Sequence, residues 1–317
     1  MLKKRVVAAV AVALMAGGVS AVQVNPGDKG EVLLAPMVMV GGSWESELRL
    51  INTNTTDSVV AKVAFHAAGR SEEVLDFYVF LSPGDVWRGT AVKNPDGKFG
   101  IKSSDDSSLV VEVPNQTSGA SCPLPVARSV GFDPLVMNST VPQDFTYVKV
   151  FQSRVIKGLG AAPVAKASIL SAFSKACNDG TAVEVNNDLT GDVTLSNALN
   201  GNVLRLPMTA LQDYGNGVDQ FLGRATTFAF PSGKAVASKS QVEDALWASN
   251  FVIPYNVSNG NFTYATVTFP TKETFIAAQG TQYFNRATMT PQISIAVRNE
   301  AEQTLTPPPS LTCIKSP

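Results

Sequence analysis

The sequence predicts a mainly β protein: an antiparallel β-sandwich of immunoglobulin-like architecture with one or two short helices. Apolar residues alternate at period two in one stretch after another, the pattern of strands with one face buried. The stretches are short and divided by Gly, Pro and Asn turns, as in sandwiches rather than in helical or α/β proteins. Charged residues make up only 16% of the chain against 44% hydrophobic, below the roughly 25% charged content of ordinary soluble proteins. Ser, Thr and Asn are left to carry the surface polarity.

The chain opens with Lys3, Lys4 and Arg5, an apolar run from Val6 to Met15, then Gly17-Gly18 and Val19-Ser20-Ala21. A basic start, an apolar core and small residues at the cleavage-setting positions make residues 1–21 a secretory signal peptide. The run is too short to serve as a membrane-spanning stop-transfer helix. The mature chain is expected to start near Val22 and to act in the periplasm, on the cell surface or in the extracellular medium.

Residues 22–115 form an expected N-terminal β-sandwich region. Val32-Leu33-Leu34 and Met37 to Val40 read as strands broken by Pro36, and Glu47 to Leu50 as the next. Asn52 to Asp57 is a polar turn. Val59, Ala61, Val63 and Phe65 make one face of a strand, with Val60, Lys62, Ala64 and His66 opposite, where His66 is expected to face solvent. Leu75, Phe77, Val79 and Leu81 repeat the period, Ser82-Pro83-Gly84-Asp85 turns the chain, and Val86 to Val92 returns with Trp87.

Residues 116–185 form a loop and helix region. Tyr147 to Ser153 reads as a strand. Ala165, Ile169, Ala172, Phe173 and Ala176 recur at helical spacing before Asn178-Asp179-Gly180, a stop, so one amphipathic helix is expected to pack on a sheet. Residues 186–317 are β-rich again, with strands at Asp192 to Ser196, Val203 to Leu206, Thr226 to Phe230, Tyr264 to Phe269 and Ile293 to Val297. Ser240-Gln241-Val242-Glu243 has the form of a capping box and opens a short helix through Trp247. Pro307-Pro308-Pro309 is stiff and extended.

The chemistry that such a chain can carry is limited. His66 is the single histidine, with no nucleophile elbow and no His-Glu-x-x-His pair in the chain, so triad and imidazole-metal chemistry are not expected. Glu72, Glu73 and Asp76, and Asp105-Asp106, are the acidic groups that a carboxylate-dependent hydrolase would use. Asn94 to Gly97 and Asp188 to Asp192 resemble pieces of calcium loops without a full set of oxygen ligands. No cofactor or metal is expected. The triplets starting at Asn54, Asn115, Asn138, Asn256 and Asn261 match the glycosylation sequon. A net charge of −1 without a basic patch argues against nucleic acid as a partner. No segment after the leader is long and apolar enough for a membrane helix. The three cysteines, Cys122, Cys177 and Cys313, permit one disulfide after export; Cys122–Cys177 is the favoured pair, and Cys313 is the alternative partner or a free thiol.

Val32-Leu33-Leu34-Ala35-Pro36, Leu50-Ile51-Asn52-Thr53, Glu73 to Phe77, Leu81 to Trp87 and Val267 to Lys272 occur in that order, with Arg298-Asn299-Glu300 and a Pro-rich stretch before Cys313. Together they resemble a group of uncharacterised exported β-rich proteins of Gram-negative bacteria. The resemblance implies a secreted or surface β protein and no activity; members of the group are longer, so this chain, which stops soon after Cys313, is expected to lack their final strands.

Three functions fit these observations. The first is a non-enzymatic surface or extracellular protein with a structural, adhesive or assembly role, self-associating or binding other surface proteins through an unfilled sheet edge near the C-terminus. The second is a secreted or periplasmic carbohydrate- or ligand-binding module with Tyr78, Trp87, Trp247 and Tyr255 as stacking residues. The third is a carboxylate-dependent hydrolase. The absence of catalytic spacing selects the first as the expected function.

Overall fold

A computed structural model of the chain describes residues 22–68, 73–93, 97–103, 109–112, 126–127, 135–136, 144–178, 186–214, 242, 244–246, 268, 270, 297–298 and 304–305. The leader, Cys122, Cys313, Trp247, Tyr255 and the expected strands at Thr226 to Phe230 and Ile293 to Ile295 lie outside these residues, as does nearly all of Tyr264 to Phe269. In chain order the elements are β1 (Gln23–Val24), β2 (Val32–Met39), β3 (Trp44–Asn52), β4 (Ser58–Ala67), β5 (Glu73–Leu81), β6 (Val86–Lys93), β7 (Phe99–Lys102) and β8 (Leu109–Glu112). Then follow β9 (Val126–Ala127), β10 (Leu135–Val136), β11 (Phe145–Ile156), α1 (Lys166–Asn178), β12 (Leu189–Asn197), β13 (Val203–Pro207), β14 (Thr209–Gln212), β15 (Val297–Arg298) and β16 (Thr304–Leu305).

Two antiparallel sheets make a β-sandwich. The first has the strand order β1-β14-β2-β11-β4-β5-β8-β9 and the second β10-β7-β6-β3-β12-β13; β15 and β16 pair separately. Side chains one residue in two along the central strands meet between the sheets. Leu33, Val63, Phe65, Phe77 and Val150 come from the first sheet, Leu48, Leu50, Trp87, Val193 and Leu195 from the second, all essentially inaccessible to solvent. Phe77 packs its ring 5.7 Å from that of Trp87. The sheets draw on all three regions expected from sequence: β11 lies between β2 and β4, and β12 pairs with β3. Residues 22–115 therefore do not close a sandwich of their own. Alternation marks which residues face a core, but it carries no information about which strand lies alongside.

Pro36 does not divide two strands; β2 runs through it. Thr146 pairs with Val38 and Val148 with Ala35, so Pro36 and Met37 together oppose Tyr147. A bulge at that point removes the need for the ladder N–H that proline lacks.

The helix forms where its spacing predicts. The N–H groups of Ser168 and Ile169 both reach the Ala165 carbonyl at its start. Ile169 and Phe173, one turn apart, press onto Val60, Tyr78, Phe80 and Ile156 on the outer face of the first sheet. Burying the two side chains is worth about 1.5–3 kcal/mol each. At the other end of the same face, Val242 is buried with Val32, Leu34, Phe151, Leu211 and Tyr214. The Leu246 N–H donates to the Val242 carbonyl, one helical turn at the expected capping-box position.

These additions overturn one reading. Every residue of β4 is buried, including Lys62 and His66 on the face expected to meet water. His66 stacks on Tyr147, its partner in β11, with centroids 4.9 Å apart, and Lys149 holds its ammonium 5.8 Å from the Tyr147 ring centre. A polar residue at alternate positions signals a polar environment, which a third layer supplies as readily as solvent does.

Candidate functional site

Three groups of polar residues in the described structure are tied together by hydrogen bonds among themselves. The first lies at the end of the sandwich where β5 turns into β6. Asp85 caps the turn: its Oδ2 accepts from the N–H and Oγ of Ser82, and its Oδ1 from the N–H of Val86. Lys166, the first residue of α1, donates to the same Asp85 oxygen and to Ser82 Oγ at 3.2 Å. This ion pair is largely shielded from water, and burial lowers the Lys166 ammonium from 10.5 to about 8. A serine beside a lysine of lowered pKa has the residue types of a nucleophile and base. Here the ammonium points at a carboxylate and the hydroxyl donates to that carboxylate, so the arrangement ties α1 to the sheet and activates no nucleophile.

The second group adjoins the first. Asn52 donates to the carbonyls of Asp57 and Ser82, while Asn54 Oδ1 accepts from the N–H groups of Thr56 and Asp57. Asn54 Nδ2 and Gln152 Nε2 both donate to Asp188 Oδ2. The amide nitrogen of the first sequon is thus already bonded, and Asp188 is engaged by amides. Asp192, the other carboxylate of that calcium-like stretch, lies within β12 next to the inward-facing Val193 and so on the outer face of the second sheet. There it accepts from Arg49 Nε at 2.9 Å, Arg49 Nη2 at 2.5 Å and Arg205 Nη2 at 2.8 Å. This third group links β3, β12 and β13 by a nearly buried carboxylate between two guanidinium groups. Among the described residues no group of three or more His, Cys, Asp and Glu side chains is placed to hold a metal ion.

Buried ionisable groups on the outer face of the first sheet do not form a site open to solvent. Glu31, Lys62, His66, Lys149 and Arg154 are almost wholly buried, and none is without a partner. The Tyr214 phenol is pushed well above its ordinary value, first by burial and then by the negative charge of Glu31.

Two of the four aromatic residues expected to stack on a ligand are buried and present no ring to one. Trp87 is fully buried between the sheets, and Tyr78 is buried beneath Phe173, 5.6 Å between ring centres. Trp87 sits on the inward face of β6 and Tyr78 on the outer face of β5 that α1 covers, a burial that their ring chemistry does not disclose. Trp247 and Tyr255 lie outside the described residues, as do the acidic groups Glu72 and Asp105-Asp106; for Glu73 and Asp76 the backbone alone is described. Cys177 falls in α1, and its expected partner Cys122 lies outside the described residues. Among the described residues no helix is long and apolar enough to cross a membrane.

Among the described residues, what remains open to solvent and chemically unspent is the outer edge of the second sheet. β12 and β13 form a hairpin through Ala198 to Asn202, closed by Gly201 in the left-handed region at φ 70°. Leu199 at its tip is 83% exposed, Val203 68% and Leu204 43%. Among the described residues β13 is paired on one side only, to β12. The other sheet ends, β1, β9 and β10, are two residues long among the described residues; β13 offers five. The period-two pattern located this strand, but its position at an edge depends on β12 pairing with β3. No protein-family model matches the chain, no curated protein matches its sequence, and no solved structure matches its fold.

Proposed function

We propose that this chain is a non-enzymatic exported protein with an assembly or structural role at the cell surface or outside the cell. The exposed strand edge of β13 carries this reading: unpaired backbone groups beside exposed Val203 and Leu204, with Leu199 at the adjoining turn. Soluble proteins ordinarily blunt such edges, because an open ladder recruits another strand. Strand addition is a general mode of association, with main-chain hydrogen bonds supplying affinity and alternate side chains specificity. The leader-like residues 1–21 support export, and so does the resemblance to exported β-rich proteins. The polar clusters support a non-catalytic role, since their acids, bases and hydroxyls hold strands and helix together.

Fractionation of the producing cells, with sizing and negative-stain microscopy of the purified protein, tests this. Expected are recovery from the envelope surface or medium and particles larger than one chain. A protein retained in the cytoplasm, or one that is monomeric and missing from both surface and medium, overturns the reading.

A further inference from the structure

The edge of β13 has a definite hydrogen-bonding register. The Asn197 N–H donates to the Asn202 carbonyl, and the Met208 N–H donates to the Gly191 carbonyl. Residues 202 and 208 thus direct their backbone groups towards β12. Successive residues of a strand point these groups to opposite sides. Leu204 and Leu206 therefore bond β12, and Val203, Arg205 and Pro207 present theirs outward. Pro207 has a carbonyl but no N–H. The outward ladder thus consists of two complete residues, Val203 and Arg205, ended by a proline on one side and by the left-handed Gly201 turn on the other.

We propose that β13 pairs antiparallel with β13 of a second copy of this chain, around a twofold axis at Leu204; this rests on the assembly reading above and gives it a partner and a register. With the axis there, Val203 of each copy exchanges both backbone hydrogen bonds with Arg205 of the other, and all outward N–H and C=O groups of the two complete residues are satisfied. Moving the axis to Arg205 sets the two guanidinium groups opposite each other and places Val203 against Pro207, which leaves a carbonyl without a donor. Moving it to Val203 sets Arg205 against Gly201, where the strand has already ended. Charge and hydrogen bonding select the same register.

Side-chain placement agrees with it. Leu204 pairs with core residue Leu195 across β12–β13, so it lies on the inner face of its sheet. In the proposed pair it meets its own symmetry mate at a position without hydrogen bonds, where side chains approach most closely. On the outer face Val203 lies against the aliphatic stem of Arg205 from the other copy, whose guanidinium stays on its own Asp192. The closed twofold contact joins the two second sheets into one continuous sheet.

Sedimentation of the protein produced from the full coding sequence, with variants at Val203 and Leu204, tests the inference. The wild type is expected to associate reversibly. Val203→Lys sets like charges opposite at two symmetric positions and is expected to weaken association roughly tenfold, whereas Val203→Glu faces Arg205 of the other copy and is expected to strengthen it several-fold. Val203→Pro deletes an N–H that β12 does not use; it is expected to retain the thermal unfolding of the wild type while losing association. Leu204→Cys is expected to form a 204–204 disulfide under mild oxidation, identified by peptide mapping against the wild type, in preference to the corresponding bond in Arg205→Cys. A monomeric wild type at all concentrations overturns the self-pairing and leaves the assembly reading to its fractionation test. Association indifferent to all three Val203 variants overturns the self-pairing while the assembly reading stands. Cross-linking at 205 in place of 204 overturns the register.

Discussion

Gly89 and Trp87 give the sharpest test of the packing between the sheets. They are two apart on β6 and share its inner face. A Cβ built on Gly89 would lie 2.2 Å from Trp87 Cη2, 2.7 Å from Cζ2 and 3.1 Å from Ile101 Cγ1. Ordinary carbon contacts are about 3.5–4 Å, so Gly89→Ala requires the indole to move by more than an ångström. The indole has little room, being fully buried with the Phe77 ring beside it. Overpacking of this kind costs about 1–3 kcal/mol. Trp87→Phe removes the overlapping atoms. It also removes the indole N–H, which is buried with no hydrogen-bond partner, so roughly 1–3 kcal/mol of desolvation is regained against a cavity cost of similar size. The single change at Trp87 should therefore move stability by about 1 kcal/mol in either direction. The double variant should be more stable than the sum of the singles by about 1–2 kcal/mol. Urea unfolding of the four proteins measures this coupling. Additive effects, or a Gly89→Ala change without cost, would refute the packing argument.

Other consequences follow from single contacts. Replacing Phe173 by Ala removes the main anchor of α1 from Tyr78 and Phe80 and should cost about 3–5 kcal/mol, with protease sensitivity appearing first around the helix. Asp192→Ala leaves Arg49 and Arg205 facing each other without a carboxylate; a loss of about 2–4 kcal/mol in urea unfolding is expected, with faster hydrogen exchange concentrated in β13. For Lys166 the unfolded chain holds more protons between pH 8 and 10.5, because the folded ammonium is lowered to about 8. Its contribution to stability therefore rises with pH through that interval, is least below pH 8 and levels off above 10.5. The stability difference between wild type and Lys166→Met should shift towards the wild type across this range, and a flat difference would contradict the burial of the ammonium.

For the described residues, the sequence by itself determined the alternation that makes most of the central strands, and the helix at residues 166–178. Alternating residues such as Val59, Ala61, Val63 and Phe65 reflect the backbone pleat, and the spacing of Ile169 and Phe173 reflects the helical turn; both are local properties. The expected turn at Ser82 to Asp85 is likewise built by its own residues, with Asp85 bonding the Ser82 backbone three positions away. The tertiary structure decided what lies across each face and beside each strand. It buried Trp87, Tyr78 and His66, for which aromatic or polar identity is silent about cover. It set β11 between β2 and β4, dissolving the boundary expected near residue 115. It also made β13 an edge, and with that located the surface on which the proposed function rests. Strand pairing joins residues far apart in the chain, and neither alternation nor turn chemistry encodes the neighbour, because a backbone ladder offers the same hydrogen bonds to any strand that reaches it.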